Sequence, residues 1–414
     1  MSHHDPRFEA LVRRRSDFPS LRRTHNGFPL AYLDGPAGTQ VPQHVIDDMV
    51  RYYTTHNANT HGCFVTTRET DQILDDAREA VAAFLGAKTK NSISFGANMT
   101  TLAFSLSKAV RRAMKEGDEI LITQLDHEAN RGPWLTLAES GIVVNEVRLN
   151  SDGTLDYEDM RGKINRRTRL LAIGSASNAL GTVNDIALAR ELTSKVGAWL
   201  LVDAVHYAPH FSINVTSPEV DFLLCSAYKF YGPHVGILYC REGLLDRLEP
   251  DRLRTQEQTA PYKIETGTLN HAAVAGVKAA VEYIASFGEG SDLRTRLVSA
   301  MQLIAEYEHD VAKTLYEGLR QIPGVMIYGQ SFASPHRAPT ISFTLETHTA
   351  EQVCTRLSEK GICAWDGHFY AIRPIEVLGL LERGGVTRVG ISLYNTEEEI
   401  SRLLDEVKLM VKGK

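Results

Sequence analysis

Cysteine is scarce in this sequence: the 414 residues include five, at positions 63, 225, 240, 354 and 363, with no C-x-x-C pair. A disulfide framework or a structural zinc site is therefore not expected, and the composition suits a reducing compartment. H-E-x-x-H and comparable clusters of metal ligands are also missing, so neither a metal site nor a metal hydrolase is predicted. No G-x-G-x-x-G follows a strand-like run, which disfavours a nicotinamide oxidoreductase.

Long apolar runs are absent too. No stretch of about 18 apolar residues occurs, so no membrane span is predicted. Residues 1–5 do not show a basic stretch followed by an apolar one, and no signal peptide is expected. The formal charge of -6 gives no general attraction for nucleic acid or an anionic membrane, so neither is expected as a partner. A cytoplasmic location is predicted.

What the sequence does contain is a regular alternation of helical and strand-like segments. Helical spacing of apolar residues is found at 71–86, 100–115 and 185–196. The strand-like runs are 92–95, 119–122, 143–147, 170–173, 199–202, 222–224 and 235–239. Nearly continuous apolar strands separated by helices predict an α/β fold with a mostly parallel seven-stranded sheet. The last two runs are close together, so an antiparallel strand is plausible there.

After a long helical region at 270–319, the pattern changes to that of a smaller α+β domain. Strands are predicted at 339–345, 361–365 and 387–394, and helices at 349–360 and 396–411. A helix around 5–16 is expected to pack against this part. The predicted division is an N-terminal segment at 1–30, a large domain at 31–285 and a small C-terminal domain at 286–414.

The first polar segment of interest follows the run 92–95. Residues 96–101, Gly-Ala-Asn-Met-Thr-Thr, turn into a helix, whose first amides are suited to binding a phosphate. Ala97 and Asn98 are therefore candidate cofactor-binding residues. A simple glycine turn with a Thr cap explains the same residues equally well.

Two charged residues end two neighbouring predicted strands. Asp203 follows the run 199–202, and Lys229 follows the next run along the chain, 26 residues later. Singly, such an Asp is often a helix cap and such a Lys a solvated side chain. Together they indicate a site for pyridoxal 5'-phosphate (PLP). Asp203 would pair with the pyridine nitrogen, and Lys229 would hold the aldehyde as a Schiff base and move protons at the substrate α-carbon.

Short motifs extend from Tyr32-Leu33-Asp34 to Tyr394-Asn395-Thr396. They are NANTH at 57–61, DHEAN at 126–130, SNALGT at 177–182, DAVHYAPH at 203–210, SAYK at 226–229, ETGT at 265–268 and RVGISLYN at 388–395. In these motifs the chain resembles the class V aminotransferase family of fold-type I PLP enzymes, in its cysteine desulfurase and selenocysteine lyase branch. The resemblance implies the PLP-dependent transferase fold.

The resemblance also implies which residues hold the cofactor. His127 would lie on the pyridine face and relay a proton. His206 replaces a Gln that bonds the phenolic oxygen, a bond that His can also make. Ser226 would contact the phosphate, and in the same motif Tyr228 replaces a His. Asn178 would approach both the cofactor and the substrate carboxylate.

Three further residues bear on the substrate and on assembly. Arg388 matches the arginine that clamps the substrate α-carboxylate, for which its bidentate fork is suited. His61 lies in the motif near the active-site entrance. Thr268 matches a residue that reaches the phosphate of the neighbouring subunit. The resemblance thus implies an amino-acid substrate and a homodimer with shared active sites.

The chain departs from the branch at the nucleophile. A cysteine desulfurase needs a mobile cysteine thiolate, which the family places after a Gly-His pair. Aligning Gly367 and His368 puts Tyr370 at that position. Cys363 lies upstream, in a predicted strand, where a small buried hydrophobe is expected.

The predicted function is therefore that of a PLP-dependent enzyme acting at the α-carbon of an amino acid. A lyase that performs β-elimination or C–S cleavage ranks first, with Lys229 and His127 as catalytic residues and Tyr370 as a candidate general acid. An epimerase or aminotransferase stays open, as does a cysteine desulfurase that uses Cys363. A non-catalytic PLP-binding partner in sulfur transfer is the non-enzyme alternative. The substrate and the outcome are left open by the sequence.

Overall fold

The computed structural model describes residues 6–413. Residues 1–5, for which no signal peptide was predicted, lie outside the described residues. Within this part of the chain, no helix is both long enough and apolar enough to cross a membrane.

The chain begins with a helix and three two-residue strands. These are α1 (Pro6–Arg13), β1 (Thr24–His25), β2 (Phe28–Pro29) and β3 (Ala31–Tyr32). Arg15, just after α1, donates hydrogen bonds to the carbonyls of Leu30 and Tyr394 at 2.9 and 3.0 Å. It also forms an ion pair with Glu399 at 2.7 Å. These contacts fasten the N-terminal segment to the C-terminal part of the chain.

A seven-stranded sheet forms the centre of the molecule, and all seven predicted runs are strands in it. The strands are β4 (Ile93–Gly96), β5 (Glu119–Thr123), β6 (Val143–Val147), β7 (Thr168–Gly174), β8 (Trp199–Asp203), β9 (Phe222–Ser226) and β10 (Gly236–Cys240). Their spatial order is β4-β10-β9-β8-β7-β5-β6. β10 is antiparallel to both of its neighbours, and the other pairs are parallel. The predicted sheet is confirmed.

Alternate residues of these strands enter two separate cores, one on each face of the sheet. Leu170 and Ala172 pack in one core, whereas Leu171 and Ile173 pack in the other. The associated helices are α2 (Gln43–Arg51), α3 (Val65–Leu85), α4 (Met99–Arg112), α5 (Gly132–Leu135), α6 (Tyr157–Lys163), α7 (Ile186–Val196), α8 (His271–Ala285) and α9 (Leu293–Arg320). A parallel sheet that is apolar on both faces requires such cover.

The C-terminal part forms a second, four-stranded sheet. Its elements are β11 (Val325–Tyr328), β12 (Thr340–Leu345), α10 (Ala350–Glu359), β13 (Ile362–Cys363), β14 (Trp365–Gly367), α11 (Ile372–Val377), β15 (Val386–Gly390) and α12 (Glu397–Val411). The sheet is antiparallel, in the order β11-β12-β15-β14. β13 instead pairs in parallel with β3. The domain boundaries at residues 30 and 285 stay predictions.

Two details differ from the sequence prediction. The strand expected at 361–365 is two strands in different sheets, β13 and β14, since the chain changes partners between Cys363 and Trp365. β11 was not predicted. It is a four-residue edge strand whose side chains are mostly half-buried, so it carries no clear alternation of apolar and polar residues.

Candidate active site

A cavity lies at the carboxyl edge of the large sheet. β7, β8 and β9 end side by side, because Gly174 pairs with Asp203 and Asp203 with Leu224. Parallel strands that end together bring their following residues to one place, which is where α/β sheets bind ligands. Seven predicted site residues line the cavity: Asn98, His127, Asn178, Asp203, His206, Ser226 and Lys229.

Lys229 lies in a single helical turn directly after β9, and its side chain is buried. Its Nζ donates a hydrogen bond to the Pro36 carbonyl. Burial, followed by the charge of Arg388, lowers the pKa of the Lys229 amine to about 7. A large fraction of this amine is therefore neutral at neutral pH, and a neutral amine is a nucleophile toward an aldehyde.

Two carboxyl groups share the same cavity. Asp203, the last residue of β8, accepts a hydrogen bond from the Val205 amide at 2.9 Å. Asp126 accepts from the Gly174 amide at 2.7 Å and from Asn130 Nδ2 at 3.2 Å. Burial raises the pKa of Asp203 to about 6, and burial together with the Asp203 charge raises that of Asp126 to about 7. Such a pair favours a positively charged group beside it.

Asp126 was not among the predicted site residues. Its signal in the sequence was its place beside His127, shortly after β5. Because aspartate is common in turns after strands, only the tertiary structure distinguishes it from a cap.

Both histidines of the cavity are held neutral. Burial, then the charge of Lys229, lowers the pKa of His127 to about 4. His127 Nδ1 accepts a hydrogen bond from the Ala129 amide at 3.0 Å. Burial also lowers the pKa of His206 well below its ordinary value. His206 Nε2 bonds Thr340 Oγ1 at 2.9 Å, whereas its buried Nδ1 has no hydrogen-bond partner among the described residues.

The N-terminus of α4 forms one end of the cavity. Asn98 caps this helix, its Oδ1 accepting from the Thr101 amide at 2.9 Å. The Met99 amide donates to Ser226 Oγ at 3.0 Å. The first-turn amides of a 14-residue helix lack intrahelical acceptors and favour an anion. Ala97 lies in the turn before the helix, but it does not line the cavity.

Arg388 reaches the site from β15 of the small sheet. It is buried, pairs with Asp34 at 2.9 Å and donates to the Asn178 carbonyl at 3.2 Å. Its guanidinium stacks 4.2 Å from the centre of the Phe369 ring. The Nε atom is buried and has no partner within residues 6–413. Arg388 does not line the cavity, although its positive charge lowers the pKa of Lys229 there.

The loop that carries Tyr370 is fixed against the large sheet. Asn178 Nδ2 donates to the Phe369 carbonyl at 3.0 Å, and the Glu128 amide donates to the Tyr370 carbonyl at 2.8 Å. Phe369 and Tyr370 have φ of 55° and 57°, in the left-handed region. The Tyr370 ring is 62% exposed and lies 6.0 Å from the centre of the His127 ring. Tyr370 does not itself line the cavity, but its ring lies beside that of His127, which does.

The cysteines are elsewhere. Cys363 is half-buried in β13, where its carbonyl accepts from the Leu33 amide at 3.0 Å. Burial raises the pKa of its thiol, which disfavours the thiolate. None of the five cysteines, all of which the structure describes, lines the cavity.

His61 and Thr268 lie in a different cavity, which they line together with Glu265. Glu265 is held by Arg78 through two hydrogen bonds of 2.7 Å and by the Phe95 amide at 2.6 Å. Within one chain, His61 and Thr268 therefore line the same cavity, and this cavity is not the one that contains Lys229.

Comparisons with known proteins agree with this architecture. The aminotransferase class-V family model matches residues 31–403. A cysteine desulfurase of Serratia proteamaculans is 33% identical over 95% of this chain and 96% of its own length. One of Shigella flexneri is 32% identical over 94% and 95%.

Two solved structures are similar over nearly the whole fold. The apo structure of the cysteine desulfurase from Thermococcus onnurineus has a TM-score of 0.85 at 27% identity, covering 96% of this chain and 99% of that one. A cysteine desulfurase from Escherichia coli has a TM-score of 0.83 at 26% identity, covering 97% and 98%. The chain belongs to the aminotransferase class-V family of PLP-dependent enzymes, and it is cysteine desulfurase-like in sequence and fold.

Proposed function

We propose that this chain binds PLP at Lys229 and acts as a lyase at the α-carbon of an amino acid. The observation that carries this proposal is that one cavity brings together a buried amine of lowered pKa, the carboxyl of Asp203 and the neutral ring of His127. The aldehyde, the pyridine nitrogen and the ring face of PLP call for these three kinds of group.

The residues present fit PLP at each of its functional groups. The Lys229 amine suits the aldehyde, and Asp203, with Asp126 behind it, suits a protonated pyridine nitrogen. The first turn of α4, with Ser226, suits the phosphate. The orphaned Nδ1 of His206 suits the phenolic oxygen.

Each of these residues has a role that follows from its chemistry. Bound PLP supplies an electron sink for the charge left when a proton leaves the α-carbon. Asp203 would hold a proton at the ring nitrogen of the cofactor, and His127 would lie against its ring. Arg388, whose Nε is unpartnered, holds the substrate carboxylate with Asn178 alongside. Lys229 takes the proton from the α-carbon.

A leaving group on the β-carbon then needs a proton, and the phenol of Tyr370, whose ring centre is 6.0 Å from that of His127, is suited to give it. In β-elimination from a sulfur amino acid the C–S bond breaks and the departing thiolate takes the phenol proton. Cys363 is an unsuitable thiol acceptor because it is held in β13 and because burial raises the pKa of its thiol. We therefore favour C–S lyase chemistry over persulfide formation.

We further propose a homodimer in the cytoplasm. His61 and Thr268 lie together in a cavity away from Lys229, as residues that serve the site of a second subunit would. That second subunit would also cover four large apolar side chains that are exposed in the single chain. They are Tyr53, Phe64, Val65 and Leu253.

The test is to reduce the PLP-loaded protein with borohydride and to map the labelled peptide. We expect the label on Lys229 and none in Lys229→Ala. The loaded protein is then screened against L- and D-amino acids by its visible spectrum, with analysis for pyruvate, sulfide, alanine and the opposite enantiomer. An unlabelled Lys229 would overturn the cofactor assignment, whereas alanine or inverted substrate as the product would overturn the lyase assignment.

A further inference from the structure

A buried polar cluster lies beside the cavity and extends away from it. It consists of His206, His210 and Glu308, which are 4%, 2% and 1% exposed. The two imidazole rings are 5.3 Å apart, edge to face, and His210 Nδ1 bonds Glu308 Oε2 at 2.7 Å. Polar groups this deeply buried are costly unless they are hydrogen-bonded, so the arrangement calls for an explanation.

Three atoms of the cluster have no partner among residues 6–413: His206 Nδ1, His210 Nε2 and Glu308 Oε1. Of the three residues, only His206 lines the cavity. Of the three atoms without a partner, His206 Nδ1 is therefore the one that belongs to a cavity-lining residue and can bond a ligand directly. The other two residues lie behind it, toward α9.

Whether His206 can donate into the cavity depends on which of its two nitrogens carries the proton. Burial is the largest cause that lowers the pKa of His206 and keeps its ring neutral, and the charges of Lys229 and Arg388 act in the same direction. A neutral imidazole has one N–H. When the Thr340 hydroxyl donates to Nε2, that N–H is on Nδ1 and is free to donate to an anionic oxygen.

We infer that His210 and Glu308 are positioning residues, which hold the His206 ring so that Nδ1 donates a hydrogen bond to the ring oxygen of the cofactor. The inference rests on the proposed PLP function. Glu308 is on α9 and Thr340 begins β12, so two elements outside the large sheet orient a side chain of the cavity.

The expected signature is spectroscopic. When the nitrogen that joins Lys229 to the cofactor loses its proton, the negative charge of the ring oxygen is left without that partner. A hydrogen-bond donor to the ring oxygen stabilises this deprotonated form. It therefore lowers the pH midpoint at which the visible band of the bound cofactor changes. Losing or misplacing that donor raises the midpoint by about one pH unit or more, the size of one hydrogen bond to a charged group.

The experiment titrates the visible band of the PLP-loaded protein in matched variants. Glu308→Ala is expected to raise the midpoint. Glu308→Gln is expected to stay near wild type, because its amide oxygen still accepts from His210. Ile304→Ala, a fully buried position one turn earlier on α9, is the control. It should lower the melting temperature and leave the midpoint in place.

Two more variants keep the test decisive where Glu308→Ala does not fold. His206→Phe removes the donor itself and should give the largest rise. Thr340→Val keeps the side-chain shape and removes only the hydroxyl, and it should also raise the midpoint. An unchanged midpoint in folded Glu308→Ala, or unchanged midpoints in both of these variants, with borohydride still labelling Lys229, would overturn the inference and leave the proposed function standing. Absence of label on Lys229 in the wild-type protein would overturn both.

Discussion

At the scale of single residues, burial moves two opposite charges of the site toward neutrality. The pKa of Lys229 falls to about 7 and that of Asp203 rises to about 6. In each case desolvation is the largest cause, since a low-dielectric surrounding penalises whichever form is charged. Near pH 7 the Asp203 carboxyl is therefore still mostly ionised, whereas about half of the Lys229 amine is neutral and suited to the capture of an aldehyde.

The pH dependence of cofactor capture follows from the lysine. Only the neutral amine attacks an aldehyde, so the capture rate should rise with pH up to about 7 and level off above it. An exposed lysine would continue to gain up to about pH 10. Growth of the visible band after PLP is added to apo-protein measures the rate, and Lys229→Arg serves as a blank. A rise that continues to pH 10 would contradict the lowered pKa.

Tyr370 tests the assignment of the leaving-group acid. Tyr370→Phe keeps the ring beside His127 and removes the proton donor, so turnover should fall by about 10²-fold or more. Cofactor loading, read from the visible band, should be unchanged. Tyr316→Phe removes a phenol from α9, away from the cavity, and should keep full activity. Equal turnover in Tyr370→Phe and wild type would exclude this role for the phenol.

At the scale of elements, the site depends on how closely β10 approaches the start of α4. A Cβ added at Gly236 would come within 2.5 Å of the Asn98 carbonyl oxygen. The first turn of α4 would have to move, and with it the amides assigned to the phosphate.

Gly236→Ala should therefore destabilise the fold by about 1–3 kcal/mol and weaken PLP binding. Denaturant unfolding and PLP titration measure the two effects. Gly162→Ala is the matched control, because nothing lies within 4 Å of the added Cβ in α6. It should be neutral, or stabilising by up to about 1 kcal/mol. Unaltered PLP affinity in Gly236→Ala would contradict the phosphate assignment.

At the scale of the whole molecule, the shared-site proposal predicts complementation between two inactive variants. Lys229→Ala lacks the cofactor lysine, and Thr268→Asp places a repelling charge where a neighbouring phosphate is expected. In a mixed dimer one site combines an intact Lys229 with Thr268 of the partner subunit, and activity should return. Refolding the two variants together and assaying the mixture measures this recovery. No recovery in isolated mixed dimers would contradict shared sites.

Much of the site was predictable because its signals are local. Asp203 and Lys229 each follow an apolar strand, and the ends of parallel strands meet. Asp126 was missed because an aspartate in a turn resembles a cap. The Arg388–Asp34 pair was missed because its residues are 354 positions apart, and no local pattern reports such a contact.

The sequence by itself predicted the seven strands of the large sheet and seven of the residues that line the cavity at its edge. Strand periodicity and strand-end chemistry are properties of short segments. Only the tertiary structure decided that β13 and β14 separate, that Asp126 shares the cavity with Asp203, and that Glu308 stands behind His206. These depend on side-chain packing between distant segments, whose free energy is spread over many contacts and leaves no signal in any one of them.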